Sequence, residues 1–259
     1  SNGIGPLSSV SNIKRSVKVL NKVDLITLRD PAAEQTLHNI NVKNPSILVT
    51  ADPVFGMDCA DKEYGRNLLK RFGVPDDASK VLCISVRRSH DTGQDFENAV
   101  AHLCDYAADK YGCYPIFIPM QTNRDEGISR SIMSRMKSRS SIIDIRLSVK
   151  DMIAAFSAAD LCLGMRLHSL IYATCGNVPL IGMAYDPKIK SFMDYAGQNL
   201  CINISDIDGN KGREMIDYCF ENYDEIKIQL AKSYEVLKEK AAQNGKLAIE
   251  LYEKGSVDI

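Results

Sequence analysis

The chain of 259 residues has no excess of either charge: 32 Lys and Arg stand against 33 Asp and Glu, for a formal net charge of −1. That balance offers no global attraction to nucleic acid or to an anionic membrane, so any anion site must be local. Long apolar runs are also missing. The longest, such as PLIGMAY at 179–185, fall far short of the roughly 18–20 residues that span a bilayer, so no transmembrane segment is expected. No C-x-x-C pair occurs among the eight cysteines, and Cys83 in VLCISV and Cys162 in DLCLGM sit inside strand-like runs. A disulfide framework is therefore a poor reading, and free buried thiols of a reduced, cytoplasmic protein are expected instead. With four histidines and no close Cys/His cluster, no metal site is expected. Walker-type, H-E-x-x-H and G-x-S-x-G motifs are absent. Gly3 and Gly5 do not make a dinucleotide fingerprint, because Ser8 stands where the third glycine belongs.

What is present is a regular alternation of strand and helix from residue 81 onward. VLCISV (81–86), YPIFIPM (114–120), SIIDIR (141–146), DLCLGM (160–165) and PLIGMAY (179–185) are short, continuous and rich in Ile, Val and Leu, with helical stretches between them. Strands covered by helices on both faces read this way. The pattern predicts an α/β fold with a Rossmann-like, doubly wound parallel sheet, to which CINI (201–204) could add a sixth strand. A long amphipathic stretch over 213–254 closes the chain, with a break expected near Gly245. Residues 1–75 hold about half of a second α/β domain: a helix over 8–20, a strand DLITLR, a helix opened by Pro31, and a strand SILVTADPVF. Gly3 and Gly5 look like a βα turn whose strand is absent. The domains are expected at 1–75 and 76–259, joined by RFGVPDDASK. A partial first domain is expected to expose apolar surface or to pair with another copy as a homo-oligomer.

Ligands of an open parallel sheet bind beyond the carboxyl ends of the strands, where helix N-termini point. Arg166, His168 and Ser169 follow DLCLGM directly and open a helix that ends at Gly176, expected as its C′ glycine. Asp186 is a good N-cap and Pro187 a good first residue for the helix after PLIGMAY, which brings Lys188 to the same rim. Arg87 and Arg88 follow the first strand of the unit, and Gln121, Asn123 and Asp125 follow the second. Asp52, in ADPVF, ends the last strand of the first domain. Taken singly, each of these residues has a plain alternative: a solvated rim cation, a capping histidine, an Asp-Pro turn. Together they make a rim suited to an anion with several oxygens.

The segments GIGP, DLITLRD, VTADPVF, ISVR and above all GMRLHSLIYA with AYDPK resemble the polysaccharide pyruvyl transferase family, in the family's order through most of residues 3–200. The resemblance implies a fold similar to glycosyltransferase-B enzymes, with two Rossmann-like halves, the second intact here and the first lacking its front. It implies transfer of the enolpyruvyl group of phosphoenolpyruvate onto a sugar of a cell-wall or exopolysaccharide precursor, forming a pyruvate ketal, with no cofactor. The acceptor would be a sugar or lipid-linked saccharide, held mainly by the lacking half; a peripheral place at the inner membrane face suits such an acceptor. By the same resemblance His168 would be the acid or a phosphate ligand, Arg166 and Lys188 would hold the donor, and Asp52 is a candidate base. Two rivals stand beside this reading: a glycosyltransferase of the same architecture using a nucleotide-sugar, and a non-catalytic binding module.

Overall fold

The structure, a computed structural model, describes residues 1–4, 7, 9–44, 46–58, 61–207 and 209–255. It divides into two compact units, one of residues 1–58 with 233–259 and the other of residues 59–232. The first unit holds α1 (Val10–Leu20), β1 (Ile26–Leu28), α2 (Pro31–Asn39) and β2 (Ile47–Val49). The two strands pair in parallel with Ile26 opposite Ile47, and Asn2 adds an isolated parallel bridge to Leu28. Asp30 caps α2 by accepting the Ala33 N–H at 2.9 Å, ahead of Pro31 in the first turn. Ile26, Leu28, Ala33, Leu37 and Val42 form this unit's core. The expected glycine turn lies partly outside the described residues, at Gly5 and Ser8. Gly3 is described, and a Cβ there would come within 2.5 Å of the Arg29 guanidinium.

The second unit begins with α3 (Lys62–Arg71) and continues as β3 (Lys80–Ser85), α4 (Gln94–Tyr111), β4 (Cys113–Phe117), α5 (Thr122–Met133), β5 (Ser141–Ile142), α6 (Val149–Ser157), β6 (Leu161–Gly164), α7 (Leu167–Cys175), β7 (Leu180–Ala184), α8 (Pro187–Tyr195), β8 (Cys201–Asn203) and α9 (Gly209–Glu221). All six strands pair in parallel, in the order β5-β4-β3-β6-β7-β8. This is the doubly wound order, built outward in both directions from β3 and β6. β6 and β7 are buried along their whole length, which is why they read as unbroken apolar runs. The unit boundary falls upstream of the 71–80 stretch because α3 packs on α6, so closely that a Cβ on Gly65 would lie 2.2 Å from the Ala154 carbonyl oxygen.

Three local expectations are corrected. β5 pairs over two residues only, so most of the SIIDIR segment is loop, with Asp144, Ile145 and Arg146 exposed. Gly176 has φ −80°, and the left-handed residue after α7 is Asn177, at φ 53°. Glycine is required at 176 for space instead, since a Cβ would meet the Ser157 Cα at 2.4 Å. The terminal stretch breaks at Asn222 rather than Gly245: α10 (Tyr223–Lys254) runs through that glycine without interruption. One glycine costs about 1 kcal/mol in a helix interior, which 32 residues absorb. The end of α10 belongs to the first unit, where Asn244 accepts from the Thr50 hydroxyl at 2.9 Å and donates to the Ala51 carbonyl at 3.1 Å. Among the described residues, no helix is long and apolar enough to cross a membrane.

Candidate functional site

The strand order of the second unit reverses between β3 and β6, and the crevice beyond such a reversal is where open α/β sheets bind ligands. Ser85 pairs opposite Gly164, so Arg87 and Arg166, two positions further on in each chain segment, leave the sheet at the same level. The backbone is tightly drawn there. The Met165 N–H donates to the Ser85 carbonyl at 2.7 Å, and a Cβ on Gly164 would meet the Leu170 side chain at 2.4 Å.

Arg166 is the N-cap residue of α7 in extended conformation, and its side chain makes no capping bond. Its Nε lies 3.3 Å from Asp125 Oδ2, with 13% of the Arg166 side chain exposed and 1% of that of Asp125. Asp125 sits at the start of α5 and also accepts the Gln121 N–H at 2.9 Å. Burial pushes the Asp125 carboxyl above the usual carboxylate range, against the Gln121 N–H and the charges of Arg166 and Arg87, which favour the anion. Burial likewise pulls the Arg166 guanidinium below its usual value; Asp125 resists this, while the charges of Arg87 and Arg124 add to it. Positive charge is thus concentrated at the reversal and balanced only in part, an arrangement that an incoming anion relieves.

Tyr185, one residue beyond β7, joins two more cations to this group. Arg87 Nη1 donates to its hydroxyl at 2.9 Å, and the guanidinium carbon lies 4.9 Å from the ring centroid. Lys188 Nζ lies 5.1 Å from the same ring. Both distances fall in the cation–π range. Asp186 caps α8 as expected, accepting the Lys188 N–H at 3.0 Å, and its other oxygen pairs with Lys188 Nζ at 3.2 Å. Three buried polar atoms in and just after β3, namely Ser85 Oγ, Arg87 Nε and Ser89 Oγ, have no hydrogen-bond partner. Buried polar groups are nearly always satisfied, so three orphans in one short segment suit a place that receives a polar ligand.

The remaining candidates are distributed as follows. His168 is half-buried in the first turn of α7, its ring centroid 6.0 Å from that of Tyr172. Ser169 is buried, and its hydroxyl donates to the Arg166 carbonyl at 2.6 Å, which makes it a brace for the turn. Arg88 turns to the body of the unit, donating to Glu97 Oε1 at 2.9 Å and the Thr92 carbonyl at 3.3 Å. Gln121 is exposed and lines a groove of about 890 Å³ beyond β4 and β5. Asp52 belongs to the first unit, where it accepts the Val54 N–H at 3.2 Å and lies 3.6 Å from Arg29 Nη1. Tyr185 went unnoticed in the sequence. Its signal was there: an aromatic at the end of a buried strand, directly before an Asp-Pro cap. Among the described residues, no group of three or more His, Cys, Asp and Glu could hold a metal ion.

Solved structures share this architecture at low identity. MnaA of S. aureus in complex with UDP is 14% identical at a TM-score of 0.67; the match covers 90% of this chain and 62% of that one. Anabaena Alr3699/HepE in complex with UDP-glucose is 13% identical at a TM-score of 0.65, covering 95% of this chain and 68% of that one. UDP-GlcNAc 2-epimerase from Neisseria meningitidis bound to UDP-GlcNAc is 12% identical at 0.65, covering 88% and 62%. These likenesses establish a glycosyltransferase-B-like α/β fold and nothing further. This chain spans less than two thirds of the MnaA chain. No curated protein matches. A family model described as polysaccharide pyruvyl transferase matches residues 1–187, which takes in the turns bearing Arg87, Arg166, His168 and Asp186. On that match the chain belongs to the polysaccharide pyruvyl transferase family.

Proposed function

We propose that the second unit holds the donor in transfer of the enolpyruvyl group of phosphoenolpyruvate to a sugar of a cell-wall or exopolysaccharide precursor, in the cytoplasm. The observation that carries this reading is the group of Arg87, Arg166 and Lys188, tied together through Tyr185 and Asp125 at the strand-order reversal. Phosphoenolpyruvate carries a phosphate and a carboxylate, and three cationic donors with unspent hydrogen-bonding capacity match that pair of anions. Each charge-assisted bond contributes roughly 1.5–3 kcal/mol.

In the reaction, a proton is added to the methylene carbon, the central carbon becomes oxocarbenium-like, and two sugar hydroxyl oxygens bond to it in turn. The bond from that carbon to the phosphate oxygen breaks. Of the two hydroxyl protons released, one replaces the proton given to the methylene and one leaves with phosphate. His168, in the first turn of α7, is the proposed acid. Arg166 and Arg87 offset the charge that builds on the departing phosphate. The acceptor is a sugar or a lipid-linked saccharide.

Calorimetric titration with phosphoenolpyruvate and, separately, UDP-glucose tests the proposal. Phosphoenolpyruvate should bind, and should compete with inorganic phosphate. Binding of UDP-glucose without binding of phosphoenolpyruvate would overturn the reading in favour of a nucleotide-sugar donor.

A further inference from the structure

The groove beyond β4 and β5 is separate from the three cations assigned to the donor. Its volume is about 890 Å³, and its polar lining comes from Gln121, Thr122, Asn123, Arg124, Asp144 and Arg146. That size sits toward the upper end of small-molecule sites and is generous for a three-carbon donor. Two amides, a hydroxyl and a carboxylate give alternating donors and acceptors, which is what a sugar's hydroxyl groups require. Exposed Ile145 supplies an apolar surface of the kind a pyranose face covers.

The two arginines set the charge of the ligand. Among the described residues, neither Arg124 nor Arg146 makes an ion pair or a side-chain hydrogen bond, whereas the carboxylate in the same lining, Asp144, is engaged by Arg130 at 3.2 Å. Two uncommitted guanidinium groups on one groove favour a phosphoryl group, which they can grip through paired N–H donors. The groove also lies within electrostatic reach of the donor site, because the charge of Arg124 is felt at Arg166.

From these features we infer that the groove binds a phosphorylated saccharide, with Arg124 and Arg146 on the phosphoryl group and Gln121, Asn123 and Asp144 on the sugar. The inference rests on the donor reading above in one respect only, the role it gives this ligand as acceptor, and it departs from the expectation that the first domain holds the acceptor. Both arginines are exposed, so their removal should leave the fold intact.

The probe is glucose 1-phosphate, titrated into the protein at low ionic strength beside glucose and inorganic phosphate. Glucose 1-phosphate should bind more tightly than either fragment. Arg124→Ala/Arg146→Ala should weaken it about ten- to hundredfold while phosphoenolpyruvate affinity falls far less. Arg166→Ala should show the opposite pattern. The inference is overturned if the double variant binds glucose 1-phosphate as the parent does, if the parent does not bind it, or if inorganic phosphate binds the Arg166→Ala protein, whose donor site is weakened, as tightly as glucose 1-phosphate does. A protein that fails to bind phosphoenolpyruvate but shows the groove pattern intact supports the groove and refutes only the donor assignment.

Discussion

Replacing Arg166 with alanine tests whether the cation at the sheet reversal serves a ligand or the fold. A solvated rim arginine would cost almost nothing to remove. Arg166 is different, because its deletion leaves Asp125, with 1% of its side chain exposed, holding a charge against the backbone N–H groups of Gln121 and Met120 and the more distant Arg87. Breaking a buried pair by removing one partner costs about 3–5 kcal/mol. The residual exposure of Arg166, the single 3.3 Å contact and the surviving Gln121 bond place this case lower, at about 2–3 kcal/mol near neutral pH.

The loss should depend on pH in a defined direction. Burial already raises the Asp125 pKa, and without Arg166 it must rise further. A carboxyl whose folded-state pKa exceeds its unfolded value of about 4 binds its proton more tightly when folded, so stability falls as pH rises through that window. The variant's deficit should therefore be largest at neutral pH and shrink in acid, as Asp125 takes up its proton. Lys188→Ala is the control: its side chain is 35% exposed, and its loss should change stability by less than about 0.5 kcal/mol at neutral or acid pH. Each substitution should weaken phosphoenolpyruvate binding about ten- to hundredfold. Urea unfolding of parent and both variants at neutral and at acid pH, with calorimetric titration of the donor, makes the comparison. A deficit for Arg166→Ala that is absent, or equal at both pH values, would refute the argument from the buried carboxylate.

Two further outcomes follow from the geometry. His168→Gln, assayed at saturating phosphoenolpyruvate with a saccharide acceptor, should lower turnover by roughly 10²–10⁴-fold. The parent should lose activity as pH rises through the histidine's pKa in the complex, and the variant should lack that limb; if it keeps the limb, the proton comes from another group. Glu97→Gln addresses stability alone. Burial works to raise the Glu97 pKa, but hydrogen bonds from Ser131 and Arg135 and the charge of Arg88 outweigh it and hold the group below its usual value. Its contribution is present above the unfolded pKa of about 4.3 and is lost as pH falls through the folded value, so the parent's advantage over the variant should vanish in acid. An advantage that persists unchanged to about pH 2 would show that the glutamate acts by packing rather than charge.

The central strands of the sheet were legible in the sequence because they are buried on both faces. VLCISV was expected as a strand at 81–86 and forms one at Lys80–Ser85; PLIGMAY at 179–185 corresponds to Leu180–Ala184. The strand–helix turns followed from capping chemistry, as at Asp186-Pro187, where the cap and the first helical residue are as read. What the sequence left open were contacts made across the sheet. Arg87 and Arg88 are adjacent and chemically alike, and nothing in their neighbours says which joins the rim. They diverge in the loop beyond β3: Arg87 meets Tyr185, one residue past β7, and Arg88 meets Glu97 on α4. Asp125 was visible as a polar residue after the second strand, but its pairing with Arg166 depends on β3 lying between β4 and β6, which no local pattern encodes. Gly176 and Asn177 show the same limit at short range. The left-handed conformation could fall on either, and the close approach of Ser157 on α6 fixes Gly176 as the position without a side chain.

The apolar run from 161 to 188 carries charge only at its joints because it cannot carry it elsewhere. β6, β7 and nearly all of α7 are buried, and an ionised group within them would have to be paired or neutralised. At the carboxyl ends of the strands the constraint relaxes but does not vanish: Arg166 is still mostly covered, and its partner wholly so. A buried ion pair seldom stabilises a fold more than an apolar pair of equal volume would. Both partners here hold pKa values displaced in the direction that penalises their charge. Stability alone therefore gives no reason for Arg166 and Asp125 to occupy the reversal. The proposed donor site does give one, since such a site has to present a fixed guanidinium to an anion, and Asp125 holds that group beside Arg87, Lys188 and the orphaned polar atoms around β3.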